Sequence, residues 1–171
     1  ERYTPYLIER KPQEILTISN HILGKNQLSL AKYLFIAARE DNEKLTTHHI
    51  DEFLKHMLER VDLTRDIHFH TNTTIDTLDY SGDGLNSGSK VVFAAAGEKK
   101  RELLTNLPVH FSLTEKHQLA VPGVLVIQLP AYINHQQAKE EIASIKEKLK
   151  ANELSQLPLV VVCDDASFTA E

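Results

Sequence analysis

Short unbroken apolar runs alternate with segments of helical periodicity along this chain, and that alternation restricts the fold more than any other feature. Tyr33-Leu34-Phe35-Ile36-Ala37-Ala38 carries no polar residue and stops at Arg39-Glu40-Asp41-Asn42. Leu159-Val160-Val161-Val162-Cys163 does the same before Asp164-Asp165. A strand without polar alternation reads as covered on both faces. Residues 67–71, 90–96 and 124–129 read as further strands. Three segments have a helical stripe instead. Residues 12–23 place Ile15, Ile18 and Ile22 on one side and meet Gly24. Thr46 or Thr47 is placed to cap a helix with Ile50, Phe53, Leu54, Met57, Leu58 and Val61 on one face. A third helix, from Asn134 to about Asn152, aligns Ala138, Ile142, Ile145 and Leu149. Strands alternating with helices predict an α/β fold, with a mixed, largely parallel sheet and helices on both faces.

The two ends of the chain share an outline. Helix, linker, apolar strand and acidic loop follow one another over residues 13–41 and again over 135–165. This suggests two similar βα halves, with chance likeness as the alternative. The expected division is an α/β unit over residues 1–104 and a second βα unit over 105–171, truncated at its C-terminal end. The first residue is Glu1, not Met, and the last residues form a polar stretch straight after an apolar strand. Both ends therefore read as cuts from a longer protein.

Composition narrows the function classes. A net charge of −5 argues against a nucleic-acid partner, which needs a basic patch. Lys99-Lys100-Arg101 is the one dense basic run and reads as a solvated helix end. Cys163 is the single cysteine, so neither an internal disulfide nor a cysteine-based zinc site can form. No apolar run approaches the ~18 residues of a transmembrane helix, and the N-terminus does not resemble a signal peptide. A cytoplasmic location fits these features.

Several residues could carry chemistry, and each has a plainer reading. His68 and His70 share a strand face, which suits a metal, but no acidic or thiol neighbour completes the spacing. His49 and His56 are seven residues apart on a helix and could share a face; surface packing explains them as well. Asp76 and Asp79 could form an acid–base pair, or could bond nearby backbone N–H groups. Asp164 and Asp165 stand at a strand end, where a cation or a turn could use them. Gly82-Asp83-Gly84-Leu85-Asn86-Ser87-Gly88-Ser89-Lys90 has the composition of a phosphate-cradling loop without the spacing of a P-loop. Cys163 reads as a buried, inert thiol.

One stretch is more specific. Arg65-Asp66, a strand, Asn72-Thr73-Thr74-Ile75-Asp76-Thr77-Leu78-Asp79, and Gly88-Ser89-Lys90 occur in that order. This order resembles the C-terminal domain of the UbiD family, decarboxylases that use prenylated flavin mononucleotide. A fainter likeness follows at Val161-Val162-Cys163-Asp164-Asp165. The resemblance implies a parent enzyme that decarboxylates an aromatic or unsaturated acid such as a 3-polyprenyl-4-hydroxybenzoate. Prenylated FMN would serve with a divalent metal and a monovalent cation. The catalytic acid–base groups would sit in a preceding split-barrel domain, so no catalytic residue is assigned to this chain.

The resemblance further implies that this region builds a homo-oligomer and one wall of the active-site cleft. Lys90, with Ser89, would contact the flavin phosphate. The family's usual acidic residue after this turn is replaced by Ala94. Two other readings remain from sequence: a flavodoxin-like phosphate- or nucleotide-binding module, and a purely structural oligomerisation domain.

Overall fold

A computed structural model describes residues 14–82, 84–109, 111–114, 116–149 and 155–167. The chain forms two compact units, divided between Lys100 and Arg101. The architecture is α/β with mixed sheets.

In the first unit α1 (Glu14–Leu23) leads through a 3-10 turn (Asn26–Leu30) into β1 (Tyr33–Ala37). A second 3-10 turn (Arg39–Asp41) precedes α2 (Ile50–Arg60), which is followed by β2 (Ile67–Thr74) and β3 (Ser87–Ala95). The sheet order is β1-β3-β2, parallel between β1 and β3 and antiparallel between β2 and β3. Alternate residues of a strand point to opposite faces. On one face Phe35, Ala37, Phe93, Ala95 and Ile67 pack against Phe53, Met57 and Val61 of α2. Phe35 and Phe93 stack with ring centroids 4.8 Å apart. α1 packs on β1 and β3. Val92, Ala94 and Lys90, which alternate with the α2-facing residues, are buried as well.

In the second unit β4 (His117–Val121) and β5 (Val124–Gln128) form a hairpin, α3 (His135–Lys148) crosses over, and β6 (Leu159–Cys163) returns parallel to β5. The sheet order is β4-β5-β6. Gly123 takes φ +78 in the β4–β5 turn, a left-handed conformation that favours glycine. Leu113, Leu125, Ile127, Ile145, Leu149 and Leu157 form the core.

Four sequence expectations need correcting. Neither Thr46 nor Thr47 caps α2: the N-cap is His49 without a side-chain bond, and Thr46 Oγ1 accepts from His48 N at 3.3 Å in the preceding turn. Ile50 and Ile142 lie on the expected stripes yet are 68% and 51% exposed. β6 pairs as expected, but it is an edge strand, and its adjacent Val161 and Val162 are both exposed. Adjacent residues face opposite sides, so neither face of β6 is fully covered. Finally, β4 falls in a stretch where the sequence suggested no element. Pro12, Asp83, Asn152 and residues 168–171 lie outside the described residues.

Candidate functional site

The residues of the Arg-Asp, Asn-Thr and Gly-Ser-Lys segments are brought together around the β2–β3 hairpin. Asp66 is buried and joins three elements. Arg65 grips it with Nε and Nη2 at 2.6 and 3.1 Å. Its Oδ2 accepts from Asp62 N at 2.9 Å, just past α2, and its carbonyl accepts from Ala94 N on β3 at 3.0 Å. Ala94 is buried there. A carboxylate in its place would lose its hydration, so an alanine suits this packing.

A β-bulge sets the chemistry of the hairpin. The register passes from His70↔Lys90 to Thr73↔Gly88, so Thr71 and Asn72 together oppose Ser89. The extra residue reverses the alternation and turns Thr73 to the face of Lys90. Lys90 is 6% exposed, and its Nζ donates to the Ser29 carbonyl and, at 3.5 Å, to Thr73 Oγ1. Burial lowers its pKa below the ordinary lysine value. Among the described residues no carboxylate lies within ion-pair distance of it. A buried ammonium held by two neutral oxygens is a donor set suited to an anion.

One detail departs from the sequence reading. The strand expected from Lys90 begins earlier, so Gly88 and Ser89 lie within β3 rather than in a turn before it. Ser89 is exposed, and by alternation it projects from the face opposite Lys90. The structure therefore does not bring the two side chains to one point.

The glycines of the loop serve packing. A Cβ on Gly82 would sit 2.0 Å from the Ser87 carbonyl oxygen, and one on Gly88 would sit 2.8 Å from Ile75 Cδ1. Both glycines close over Ile75, which is fully buried. Asn86 takes a left-handed φ of 56 and donates through Nδ2 to Ile75 O and Thr77 Oγ1. Asp76 Oδ1 accepts from Leu78 N at 2.8 Å. Asp79 accepts from the Ser81 hydroxyl and backbone N–H and pairs with Lys32 Nζ at 3.1 Å. The Ser81 bonds first, and Lys32 next, hold its carboxyl down to about 2. Both aspartates thus stabilise turns.

Among the described residues no group of three or more His, Cys, Asp or Glu could hold a metal. His68 and His70 register with Val92 and Lys90. His49 is exposed, 3.7 Å from Glu52, whereas His56 is buried with Nε2 unpartnered. Desolvation lowers the His56 pKa, and Arg60 adds to this. Around it Arg60 donates to Gly97 O and His56 O, Lys99 pairs with the buried Glu59 at 2.9 Å, and Asp41 accepts from Gly97 N. Sequence periodicity missed this cluster because it joins α2, a 3-10 turn and the end of β3. At the far strand end, Asp165 accepts from Ser167, and Cys163 Sγ lies 3.2 Å from Asp165 O.

The family described as 3-octaprenyl-4-hydroxybenzoate carboxy-lyase C-terminal domain matches residues 6–95. The chain belongs to this UbiD family. It is 39% identical over 168 residues to a Chlamydia pneumoniae protein named as a subunit of 4-hydroxybenzoate decarboxylase, covering 95% of this chain and 26% of that protein. It is 34% identical to an uncharacterized protein of Chlamydia caviae, over 94% of this chain and 26% of the relative. A Chlamydia trachomatis serovar D protein, also uncharacterized, is 34% identical over 93% of the chain and 25% of its own length. The chain thus spans about a quarter of the length of these relatives. Among the described residues no helix is long and apolar enough to cross a membrane.

Proposed function

We propose that this chain is the C-terminal, cleft-forming and assembly region of a UbiD-type decarboxylase. The parent would act without oxidation on an aromatic or unsaturated acid of the 3-polyprenyl-4-hydroxybenzoate type, in the cytoplasm. The match over residues 6–95 carries this reading. The name of the Chlamydia pneumoniae relative agrees with an aromatic acid as substrate. The 171-residue chain is inactive alone, and its partners are a split-barrel catalytic domain and further copies of the parent. Tyr33 and Phe69, both exposed and both in register with Val91, offer an apolar surface for such contacts.

Prenylated FMN, when bound, supplies the electron sink for loss of carbon dioxide, assisted by a divalent metal and a monovalent cation held outside this chain. Lys90 would hold the flavin phosphate. Its present partners are neutral oxygens, and a phosphate oxygen is the stronger acceptor. Ser89 is the weaker half of the pair, since its hydroxyl leaves the opposite face of β3. The test is to purify the full-length parent with its flavin and assay loss of carbon dioxide from 4-hydroxybenzoate and a prenylated analogue. Turnover by the parent and none by this chain is expected. A parent that binds no flavin, or a chain that turns over substrate alone, overturns the proposal.

A further inference from the structure

A groove of about 530 Å³ opens in the second unit, outside the residues that the family match covers. It lies where β5 ends: Gln128, Leu129 and Pro130 form one wall, and the last turns of α3 form the other. Gln128 registers with Cys163, so this is the carboxyl end of the parallel β5–β6 pair. In α/β sheets that end is where ligands gather. The volume is within the range of small-molecule sites, roughly 300–1,000 Å³.

The lining has two characters. Leu113 and Ile145, both buried in the core, supply an apolar floor together with Leu129. Lys116 and Lys148 stand on the rim with Ser144. Among the described residues neither ammonium has a carboxylate within ion-pair distance, although the Lys116 charge reaches Asp165 beyond β6 and helps the Ser167 bonds to lower that carboxyl's pKa. Glu141, also on the rim, is engaged by Gln137 Nε2 at 2.9 Å. Lys148 alone could be explained by the negative end of the α3 dipole. Lys116 could not, because it precedes β4 and belongs to no helix. Its backbone is fixed: the Lys116 carbonyl accepts from Gln128 N at 2.9 Å and from Thr114 Oγ1 at 2.7 Å. Two cations from separate elements therefore line one groove with the apolar Leu113, Leu129 and Ile145.

We propose that this groove binds a small amphiphilic organic anion, with a carboxylate between Lys116 and Lys148 and an apolar body on Leu113, Leu129 and Ile145. The reading does not depend on the decarboxylase assignment, which the match over residues 6–95 carries. The test is an amide-shift titration of the whole 171-residue chain with sodium hexanoate, sodium acetate, inorganic phosphate and hexan-1-ol at constant ionic strength. Hexanoate should saturate shifts at Lys116, Gln128, Leu129, Ser144 and Lys148. Acetate lacks the apolar body and should bind about tenfold more weakly. Phosphate and hexan-1-ol should each bind more weakly than hexanoate. Lys116→Gln and Lys148→Gln should each weaken hexanoate roughly three- to fivefold, as exposed charge pairs do, and Lys146→Gln on the same helix should not. Equal binding of acetate, phosphate and hexanoate, unchanged affinity in the Lys116→Gln/Lys148→Gln double variant, or no saturable shift would each overturn the proposal.

Discussion

Replacing Lys90 separates its structural role from its proposed role at the cofactor. Its stem is buried and its ammonium has two neutral acceptors. Lys90→Ala removes three buried methylenes, about 2.4 kcal/mol at ~0.8 kcal/mol each. Lys90→Met keeps most of that volume. It loses a charge-assisted hydrogen bond, roughly 1.5–3 kcal/mol, but also relieves the desolvation of a buried ion, several kcal/mol in typical proteins. The Met variant should therefore lie within about 1 kcal/mol of the parent residue, and Ala about 2 kcal/mol below Met. With a urea slope of about 2 kcal/mol/M, the two midpoints should differ by about 1 M. The chain has no tryptophan, so the transition is best followed through the amide signals of Val92 and Ala94, which report the first unit alone. In the full-length protein the order should change: Met and Ala should both retain flavin about one to two decades less tightly. Coincident midpoints for Met and Ala would refute the buried stem. Undiminished flavin retention in the Met variant would refute the phosphate contact.

Other outcomes follow from the same region. His56 has a lowered pKa, so its contribution to stability is complete above the unfolded value of 6.5 and declines as pH falls through that value toward the folded one. His56→Leu should flatten the stability profile between pH 7 and 5, as read by urea midpoints at each pH, and should be neutral or stabilising at pH 7 because the unpartnered Nε2 is removed. Gly82→Ala should destabilise the chain by about 1–3 kcal/mol, since its Cβ meets backbone at Ser87. Ile75→Ala should cost about 2–5 kcal/mol through the cavity left under the hairpin. Thermal and urea melts check both; a silent Gly82→Ala would mean the loop does not close over Ile75.

The positions of β1, β6 and α3 were legible because each is a local pattern: an unbroken apolar run, or a stripe with Asn134 at its start. Asn134 does cap α3, accepting from Gln137 N at 3.0 Å. The burial of Lys90 was not legible. Gly88-Ser89 has turn composition, and only the pairing with β2 extends the strand expected from Lys90 back through it. The bulge that turns Thr73 toward Lys90 depends on register, which no single segment encodes. β4 carries no clear strand pattern, because His117-Gln118-Leu119-Ala120-Val121 is neither continuously apolar nor strictly alternating. The exposure of Ile50 and Ile142 is not legible either, because periodicity gives a helix its apolar face without showing how far the sheet extends beneath it.

The likeness between residues 33–41 and 159–165 can be given a physical cause in the two sheets. Each has a central strand with one parallel and one antiparallel neighbour, β3 in the first unit and β5 in the second. β1 and β6 are the parallel neighbours and edge strands. Each follows a helix, and each leads into acidic residues that bind backbone or hydroxyl donors, Asp41 in one and Asp165 in the other. A parallel pair needs a crossover, and α2 or α3 lies within it. The sequence order differs. The hairpin follows β1 in the first unit and precedes β6 in the second, so the same sheet is assembled in permuted order. The β-branched Val160, Val161 and Val162 suit the ladder of an edge strand, which does not need both faces dry. That is why Val161 and Val162 can be apolar and still exposed, and why an unbroken apolar run was a sound sign of a strand but a poor sign of its burial.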